Sequence, residues 1–437
     1  MAKHQNIMAV SVVAILILGV GFLQSWNVAL NILNLCLISS IMALGVNIQW
    51  GYAGLFNVGI MGFAALGGLA VTIVAMPPVQ GTISAAGVGL WIGAALLVGI
   101  LAATLAAFKF TQPGFIRKAA VTCIVAGGYV LLRIFFDPVT QVIENTDAAS
   151  TGYLGGFGLP VLIAWPIGAL LAGLAAWVIG KITLGLRSDY LAIATLGISE
   201  IIVAFLKHED WLTRGVKNVV GIPRPVPYEV DLQASEAFQE RAASIGADPA
   251  LFASIIVKLC YAALFIAVLA VLVVLAERAL RSPWGRMMRA IRDNEVSAKA
   301  MGKDVKMRHL QVFVVGSMIV GFAGAMLTTL DGQLTPSSYQ PLRFTFLIWV
   351  MVIIGGSGNN WGSILGGFLI WFFWVEAEPL GQAFIDLVTS GMAGDSPLRA
   401  HLLNSAAHMR LITMGIILLL ALQFRPKGLL PERRLSS

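Results

Sequence analysis

The sequence predicts an all-α protein, a polytopic bundle of transmembrane helices with about twelve crossings. Hydrophobic residues make up 58% of the 437 residues and charged residues only 12%, with a mean hydropathy of +0.85. The apolar residues are gathered into long runs, and short, predominantly basic loops separate several of these runs. This composition is too apolar for a soluble fold of the same length. We therefore expect one transmembrane domain over residues 1–437, with no soluble domain.

The predicted crossings follow one another along the chain. They are 7–23, 31–50, a glycine-rich third beginning within 51–70, 88–108, 119–136, 159–180, 186–206, 252–276, 310–330, 344–355, 362–375 and 411–422. The runs 344–355 and 362–375 are each short of the roughly 20 residues that span a bilayer comfortably. We count these two as short or broken helices.

The loop from Glu277 to His309 sets the predicted orientation. It carries nine Lys or Arg residues and four acidic residues between two apolar runs, and the positive-inside rule therefore places it in the cytoplasm. Alternation of the crossings then places both termini in the cytoplasm. Within the loop, Ser282-Pro283 and Asp293-Asn294 are typical of helix starts, and Gly302 is typical of a helix end.

Apolar residues recur along this loop at helical spacing, which predicts amphipathic helices in an otherwise charged segment. The residues of this stripe are Met287, Ile291, Ala298, Met301 and Val305. Such a stripe needs a surface to cover it. Periodicity leaves two alternatives open, a helix lying at the lipid interface and a helix docked on a soluble partner.

Polar side chains flank a glycine-rich break where the third crossing should begin. Asn47, Gln49 and Asn57 lie on either side of the run Gly51-Tyr52-Ala53-Gly54. Glycines here could serve helix packing alone. Polar groups beside an interrupted helix at membrane depth can also line a transport pathway. We favour the pathway role for Asn47, Gln49 and Asn57.

Glu200 lies well inside the predicted crossing 186–206. An ionisable group in a membrane helix is costly, so it is a functional candidate by default. We list it as a candidate for the pathway. The structural alternative is an interior contact with a helix terminus or with Lys258.

Small residues at four-residue spacing predict close helix packing in the last third of the chain. Ser317, Gly321 and Ala325 recur every four residues in one crossing, with Gly324 beside them. Gly358, Gly362 and Gly366 recur every four residues within and just after the motif GGSGNNWG. A nucleotide-binding role for this second cluster is disfavoured, because no lysine follows and no strand–turn–helix context is expected.

The sequence lacks the motifs that ATP binding, metal binding and catalysis require. No Gly-x-x-x-x-Gly-Lys-[Ser/Thr] motif occurs, so an ATP phosphate cradle is not expected. The five histidines and three cysteines have no metal-ligand or disulfide spacing, and no catalytic nucleophile–base pair is recognisable. We predict no catalytic residue, no metal site and no enzyme activity. The net charge of +7 sits in loops and the C-terminal tail, which topology explains without a nucleic acid partner.

The run SPWGRMMRAIRDNEVSAKAMG, followed by GFAGAM, resembles the cytoplasmic loop and next helix of LivM-type permeases. These are the membrane subunits of bacterial branched-chain amino-acid ABC importers. Ser297-Ala298 and Gly302 fall where the signature of import permeases has its small pair and its glycine, and Glu295 stands one place before the usual acid. The resemblance implies a helix that couples to an ATPase subunit. The implied coupling residues are Asp293, Glu295, Ser297, Ala298 and Gly302.

The resemblance extends over 31–73 and 181–434. LNIQWGYAGLFNVGIMGF resembles the family pattern LGLNxxxGxxGxxxxGxxGF, and LRSDYLAIATLGISEI resembles RGDYLAIVTLGFGEI. It fails over 77–158, which we interpret as an inserted helical pair. Arg214 stands in place of a glycine of the family's LTGGxNG, and Lys217 adds charge there. Both departures bear on the substrate class.

The resemblance implies a permease subunit of an ATP-driven importer in the bacterial inner membrane, for amino acids and above all branched-chain amino acids. The implied partners are a sister permease forming a heterodimer, two cytoplasmic ATPase subunits, a periplasmic binding protein and membrane lipid. ATP and Mg²⁺ would be held by the ATPases, and no cofactor by this chain. The alternatives are an ion-coupled secondary transporter and a passive channel for a small solute such as urea or an amide. An enzyme acting on lipid is disfavoured.

Overall fold

The computed structural model describes residues 2–111, 114–147, 151–391, 397–405 and 408–432, and this part of the chain is predominantly helical. The helices are α1 Ala2–Leu23, α2 Trp26–Ala53, α3 Ile60–Ala75, α4 Gln80–Phe110, α5 Phe115–Asn145, α6 Val161–Thr183, α7 Ser188–His208, α8 Asp210–Thr213, α9 Glu229–Ala234, α10 Glu236–Ser244, α11 Pro249–Arg281, α12 Pro283–Asp293, α13 Glu295–Ala300, α14 Val305–Asp331, α15 Pro341–Gly355, α16 Asn360–Val388, α17 Pro397–Asn404 and α18 Met409–Phe424. One two-stranded antiparallel ladder joins β1 Val219–Val220 to β2 Gln333–Leu334. The all-α helical bundle predicted from composition is confirmed.

Fewer helices are long enough to cross a membrane than the twelve crossings that the sequence predicts. In the described ranges, eight helices are long and apolar enough to cross a membrane, or nine if the bent pair α17–α18 is one span. The shorter apolar helices are 11–23 within α1, α3, and 344–355 within α15. Each of the twelve predicted apolar runs thus coincides with a helix, but length supports only eight or nine full spans.

Helix α14 lies at the centre of the bundle, against α2, α3 and α6. Small residues let the backbones approach closely, as the four-residue spacing predicts. A Cβ atom on Gly324 would lie 2.1 Å from the Ala64 carbonyl oxygen of α3, and one on Gly321 would lie 2.9 Å from the Gly168 carbonyl oxygen of α6. These contacts leave no room for a side chain at either glycine.

The α15–α16 hairpin uses its glycines in two ways. A Cβ atom on Gly366 would lie 1.9 Å from the Met351 carbonyl oxygen, and one on Gly362 would lie 2.7 Å from that of Gly355, so α15 and α16 pack backbone to backbone. Gly358 differs, because it lies between the helices with φ at 80°. At Gly358 the sequence requires glycine for the turn and not for helix packing.

Helices α4 and α5 form a pair at the side of the bundle. They pack on each other, and few of their apolar side chains are buried. The pair is attached through the connections at its ends, where Val79 N donates to Leu154 O (3.1 Å) and the Phe136 and Trp211 rings lie 5.1 Å apart. Its interpretation as an insertion at 77–158 stays a prediction.

The connection between α7 and α11 holds the ladder and the short helices α8, α9 and α10. Arg214, which stands in place of a glycine in the family pattern, has φ at 55°. This left-handed conformation costs little for glycine and is unusual for arginine. The backbone has therefore kept the shape that a glycine would favour.

Candidate functional site

The charged loop folds as two short helices, α12 and α13, at the end of the molecule that we call the loop end. Ser282 and Pro283 occupy the N-cap and first helical position of α12. The Asn294 side chain caps α13 by accepting a hydrogen bond from Ser297 N (2.9 Å). Gly302, with φ at 74°, follows the last turn of α13. The predicted helix starts and stop are confirmed.

The apolar stripe of this loop is mostly covered by the chain itself. Ile291, Ala298 and Val305 are buried and Met287 is half-buried, whereas Met301 is 78% exposed. The prediction that the whole stripe needs an external surface is therefore wrong. Of the stripe, Met301 remains exposed, and Val296, outside the stripe but on the same short helix, is 77% exposed. We call these two residues the apolar patch.

The implied coupling residues lie around this patch. Glu295 pairs with Lys299 (2.7 Å), and the two side chains are 49% and 61% exposed. Asp293 is exposed and pairs with Arg292 (3.3 Å). Ser297 is exposed on α13 and Ala298 is buried beneath it. Their role in contacting a partner stays a prediction.

Arg292 ties the loop to the helices of the bundle. Its guanidinium donates to the Gly51 carbonyl oxygen at the end of α2 and forms an ion pair with Glu432 of the C-terminal tail (2.9 Å). The tail is in turn held against the α15–α16 turn, because Leu430 N donates to Gly355 O (2.9 Å). Arg292 therefore connects α12, α2 and the tail at one point.

Next to this point, Asn47 joins α2 to the α15–α16 turn. Its side chain accepts from Gly358 N (2.9 Å) and donates to Asn360 Oδ1 (3.1 Å). Asn360 donates onward to Glu277 at the end of α11 (3.1 Å). This loop-end network, defined as Asn47, Gly51, Glu277, Arg292, Gly358, Asn360 and Glu432, links four helices and the tail.

The two other predicted pathway amides form a second network. Gln49 donates to Phe313 O (2.9 Å) and Ser317 Oγ (3.1 Å) of α14, and Asn57 donates to Gln49 Oε1 (2.9 Å). Trp349 Nε1 of α15 donates to Asn57 O (3.0 Å). Asn47, Gln49 and Asn57 are all at most 2% exposed. In this conformation they join helices to each other, and a pathway role stays a prediction.

Glu200 has a different setting. It lies on the exposed face of α7, beside Ile201, which is 67% exposed. The alternative contact with Lys258 is wrong, because Lys258 Nζ instead bonds to the backbone and side chain of Asn27. An exposed acid in a helix of spanning length is unfavourable against lipid, so this face of α7 needs a polar or protein neighbour.

Sequence reasoning missed four members of the loop-end network, each of which bonds to another member. They are Glu277, Arg292, Asn360 and Glu432. Arg292 was one of nine basic residues in its loop, and nothing in its spacing distinguished it. It also missed Glu376, which directly follows the predicted crossing 362–375 and was placed outside it. Glu376 is 3% exposed within α16 and accepts from Gln24 Nε2 (2.7 Å). A signal existed there, because apolar residues continue beyond Glu376 as far as Val388.

Comparison with known proteins identifies relatives of this architecture. The family model described as "Branched-chain amino acid transport system / permease component" matches residues 146–422. No solved structure matches the chain significantly.

Three curated proteins are similar to the chain. The "Probable branched-chain amino acid transport permease protein LivM" of Methanocaldococcus jannaschii is 29% identical over 159 residues, 36% of this chain and 42% of that protein. The "High-affinity branched-chain amino acid transport system permease protein LivM" of Escherichia coli is 27% identical over 283 residues, 64% and 59% of the two chains. Its Salmonella typhimurium counterpart is 26% identical over 242 residues, 54% and 49%. The matched region thus spans 42% to 59% of the length of these relatives.

Proposed function

The chain belongs to the family of branched-chain amino-acid transport permeases of the LivM type, and on this premise we propose that it is one membrane subunit of an ATP-driven importer for amino acids. Branched-chain amino acids are the proposed substrates, as the names of the relatives suggest. ATP and Mg²⁺ would be bound by separate ATPase subunits. This chain would supply half of the pathway.

The observation that carries the proposal is the connection between an accessible loop and the bundle through Arg292. Val296 and Met301 present an apolar patch, surrounded by Glu295, Lys299 and other charges, that a soluble partner could cover. One turn away, Arg292 holds the end of α2. A displacement of α12–α13 would therefore be transmitted directly to a helix of the bundle.

The charge distribution supports the proposed orientation. Nine basic residues in the Glu277–His309 loop favour the cytoplasm. The C-terminal tail packs against the same end, through Glu432 and Leu430. With the loop end in the cytoplasm of a bacterial inner membrane, the connections α7–α11 and α14–α15 face the periplasm, where a substrate-binding protein would dock.

The two hydrogen-bonded networks support a closed inner end in this conformation. Gln49, Asn57 and Trp349 bridge α2, α14 and α15. The Trp50, Phe56 and Trp349 rings pack beside them, with centroids 4.7 to 5.5 Å apart. In the proposed cycle, ATP-driven motion of α12–α13 separates these contacts and opens the pathway toward the cytoplasm.

The exposed face of α7 supports a second membrane subunit. Glu200 and its apolar neighbours have no covering helix from the described part of this chain. A sister permease packed against α7 would shield Glu200 from lipid and place it between the two subunits. Glu200 would then lie beside the shared pathway, as the sequence suggested.

Charge reversal at Glu295 tests the coupling role. Glu295→Lys should reduce ATP-dependent uptake of leucine into membrane vesicles at least about tenfold, since coupling between close charges at interfaces is about 1.5 kcal/mol or more. Its partner Lys299 is largely accessible, so the variant should fold normally. The matched control is Lys109→Glu, a charge reversal of the same size at an exposed residue in the last turn of α4, in the helix pair at the side of the bundle.

The same vesicles separate the proposal from its rivals. Uptake should require ATP and the co-expressed ATPase subunits. Uptake that persists without ATP would contradict the ATP-driven importer. Uptake driven by an ion gradient would indicate a secondary transporter, and uptake driven by the leucine gradient alone would indicate a channel. Equal uptake by Glu295→Lys and Lys109→Glu would show that α13 takes no part in coupling.

A further inference from the structure

A cavity of about 260 Å³ lies within the bundle, on the side of the two networks away from the loop end. Helices α2, α3, α14, α15 and α16 and the α14–α15 connection form its walls. On α2 it is lined by residues 35–42, about 8 Å along the helix from Asn47. The Gln49–Asn57–Trp349 contacts therefore lie between this cavity and the loop end.

Most of the lining is aliphatic or aromatic. Ile38 and Met42 of α2, Met61 of α3 and Leu347 of α15 are at most 5% exposed and form a continuous apolar wall. At about 30 Å³ per water molecule in the liquid, the volume corresponds to on the order of nine waters. A solute of about nine non-hydrogen atoms would therefore fit, which is the size of leucine.

The polar groups of the lining gather at its outer rim. Asp331, the last residue of α14, contributes a carboxylate that is accessible to solvent. None of the ion pairs among the described side chains involves Asp331. A carboxylate at the mouth of an apolar cavity favours a ligand with a positive group.

Hydrogen-bond donors line the same cavity. Trp371 Nε1 and Thr335 Oγ1 are buried and have no hydrogen-bond partner among the described residues. Tyr339 is 5% exposed, and its hydroxyl bonds with Thr328 Oγ1 (2.6 Å). Burial raises the pKa of Tyr339, so its hydroxyl stays protonated at neutral pH. These donors can serve a ligand carboxylate.

We propose that this cavity is a substrate site within the permease chain itself, which binds the ammonium of an aliphatic α-amino acid at Asp331 and its side chain against the α2–α15 wall. The Trp371, Thr335 and Tyr339 donors are available to the carboxylate. The identity of the solute as a transported amino acid rests on the proposed function. The placement of the site rests on the cavity and its polar rim.

Protection of an introduced cysteine tests the site without requiring transport. Ser39, 5% exposed in the cavity wall, is changed to cysteine in a chain whose exposed Cys123 and half-buried Cys260 are replaced by alanine. The full complex in membranes is treated with a small thiol-reactive reagent with and without L-leucine. Leucine should slow modification of Ser39→Cys and leave Ser84→Cys, exposed on α4, unchanged.

Variants of Asp331 test whether its carboxylate binds the ammonium group of leucine. Asp331→Asn should raise the half-protecting leucine concentration at least about tenfold, because it removes a charged hydrogen-bond partner. Asp331→Glu should retain most of the protection. 4-Methylpentanoate, which lacks the ammonium, should protect weakly and equally with Asp331 or Asn at this position.

The outcomes are distinct. No protection by leucine, or protection that Asp331→Asn leaves unchanged, would overturn the site. If Ser39→Cys does not react, Gln333→Cys at the rim replaces it, and failure of both to react would show that the cavity is closed to solutes and overturn the site as well. Protection without ATP-dependent uptake would sink the proposed function alone, and uptake without protection would sink this site alone.

Discussion

Replacing Arg292 with alanine should reduce ATP-dependent uptake at least about tenfold while the ATPase subunits continue to hydrolyse ATP. The variant removes the bond to the Gly51 carbonyl oxygen and the ion pair with Glu432. Hydrogen bonds to charged groups contribute about 1.5 to 3 kcal/mol each. Without them, motion of α12 would no longer be passed to α2, so hydrolysis and transport should separate.

The control for this variant lies on the same helix. Arg286 is exposed on α12, and among the described residues its side chain donates only to the Arg281 carbonyl oxygen, so Arg286→Ala should transport normally. Glu432→Gln keeps the shape of the Arg292 partner and removes its charge, and it should give an intermediate loss. If Arg292→Ala and Arg286→Ala retain equal uptake per ATP hydrolysed, the loop-end network does not transmit the motion.

Gly324→Ala should strongly destabilise the complex, lowering its thermal unfolding midpoint on the order of 5 to 10 °C. The added Cβ would lie 2.1 Å from the Ala64 carbonyl oxygen and 2.6 Å from the carbonyl carbon. Backbone atoms of a packed helix cannot move aside as a side chain can, so a cost of about 3 kcal/mol is expected. Differential scanning fluorimetry of the detergent-purified complex measures the midpoint.

Gly99→Ala is the matched control and should not lower the unfolding midpoint. Gly99 lies inside α4, and a Cβ atom there would meet nothing within 4 Å. Alanine favours the helix over glycine by about 0.5 to 1 kcal/mol, so the midpoint should stay constant or rise slightly. A Gly324→Ala midpoint equal to that of Gly99→Ala would mean that α3 and α14 do not approach as closely as described.

The class of fold and the helix positions could be predicted because both depend on local properties of the chain. Long apolar runs locate the helices, and Asn294 and Gly302 cap α13 through contacts within a few residues. The spacing of Gly321 and Gly324 likewise indicates a close approach, whichever helix is the neighbour. The number of full spans was not predicted correctly, because an apolar run in the sequence does not show how long its helix is. Helix α3, for example, is shorter than a full span and follows the interruption after α2.

The candidate site was less accessible to sequence reasoning because its contacts join distant parts of the chain. The Arg292–Glu432 pair spans 140 positions and the Asn47–Asn360 bond spans 313. The side chains that cover Ile291 and Ala298 belong to the same chain, and periodicity cannot distinguish them from an external partner. Asp331 ends an apolar helix, and only the fold shows that it opens onto a cavity.

Cross-linking from α13 tests the central claim most directly, that this segment is the contact with the ATPase. Met301→Cys places a thiol in the exposed patch, in a chain without Cys123 and Cys260. A short bifunctional reagent should join it to the ATPase subunit, with a yield that changes on ATP binding. A product with a periplasmic protein, or labelling of Met301→Cys from the periplasmic side by a membrane-impermeant reagent, would contradict the account.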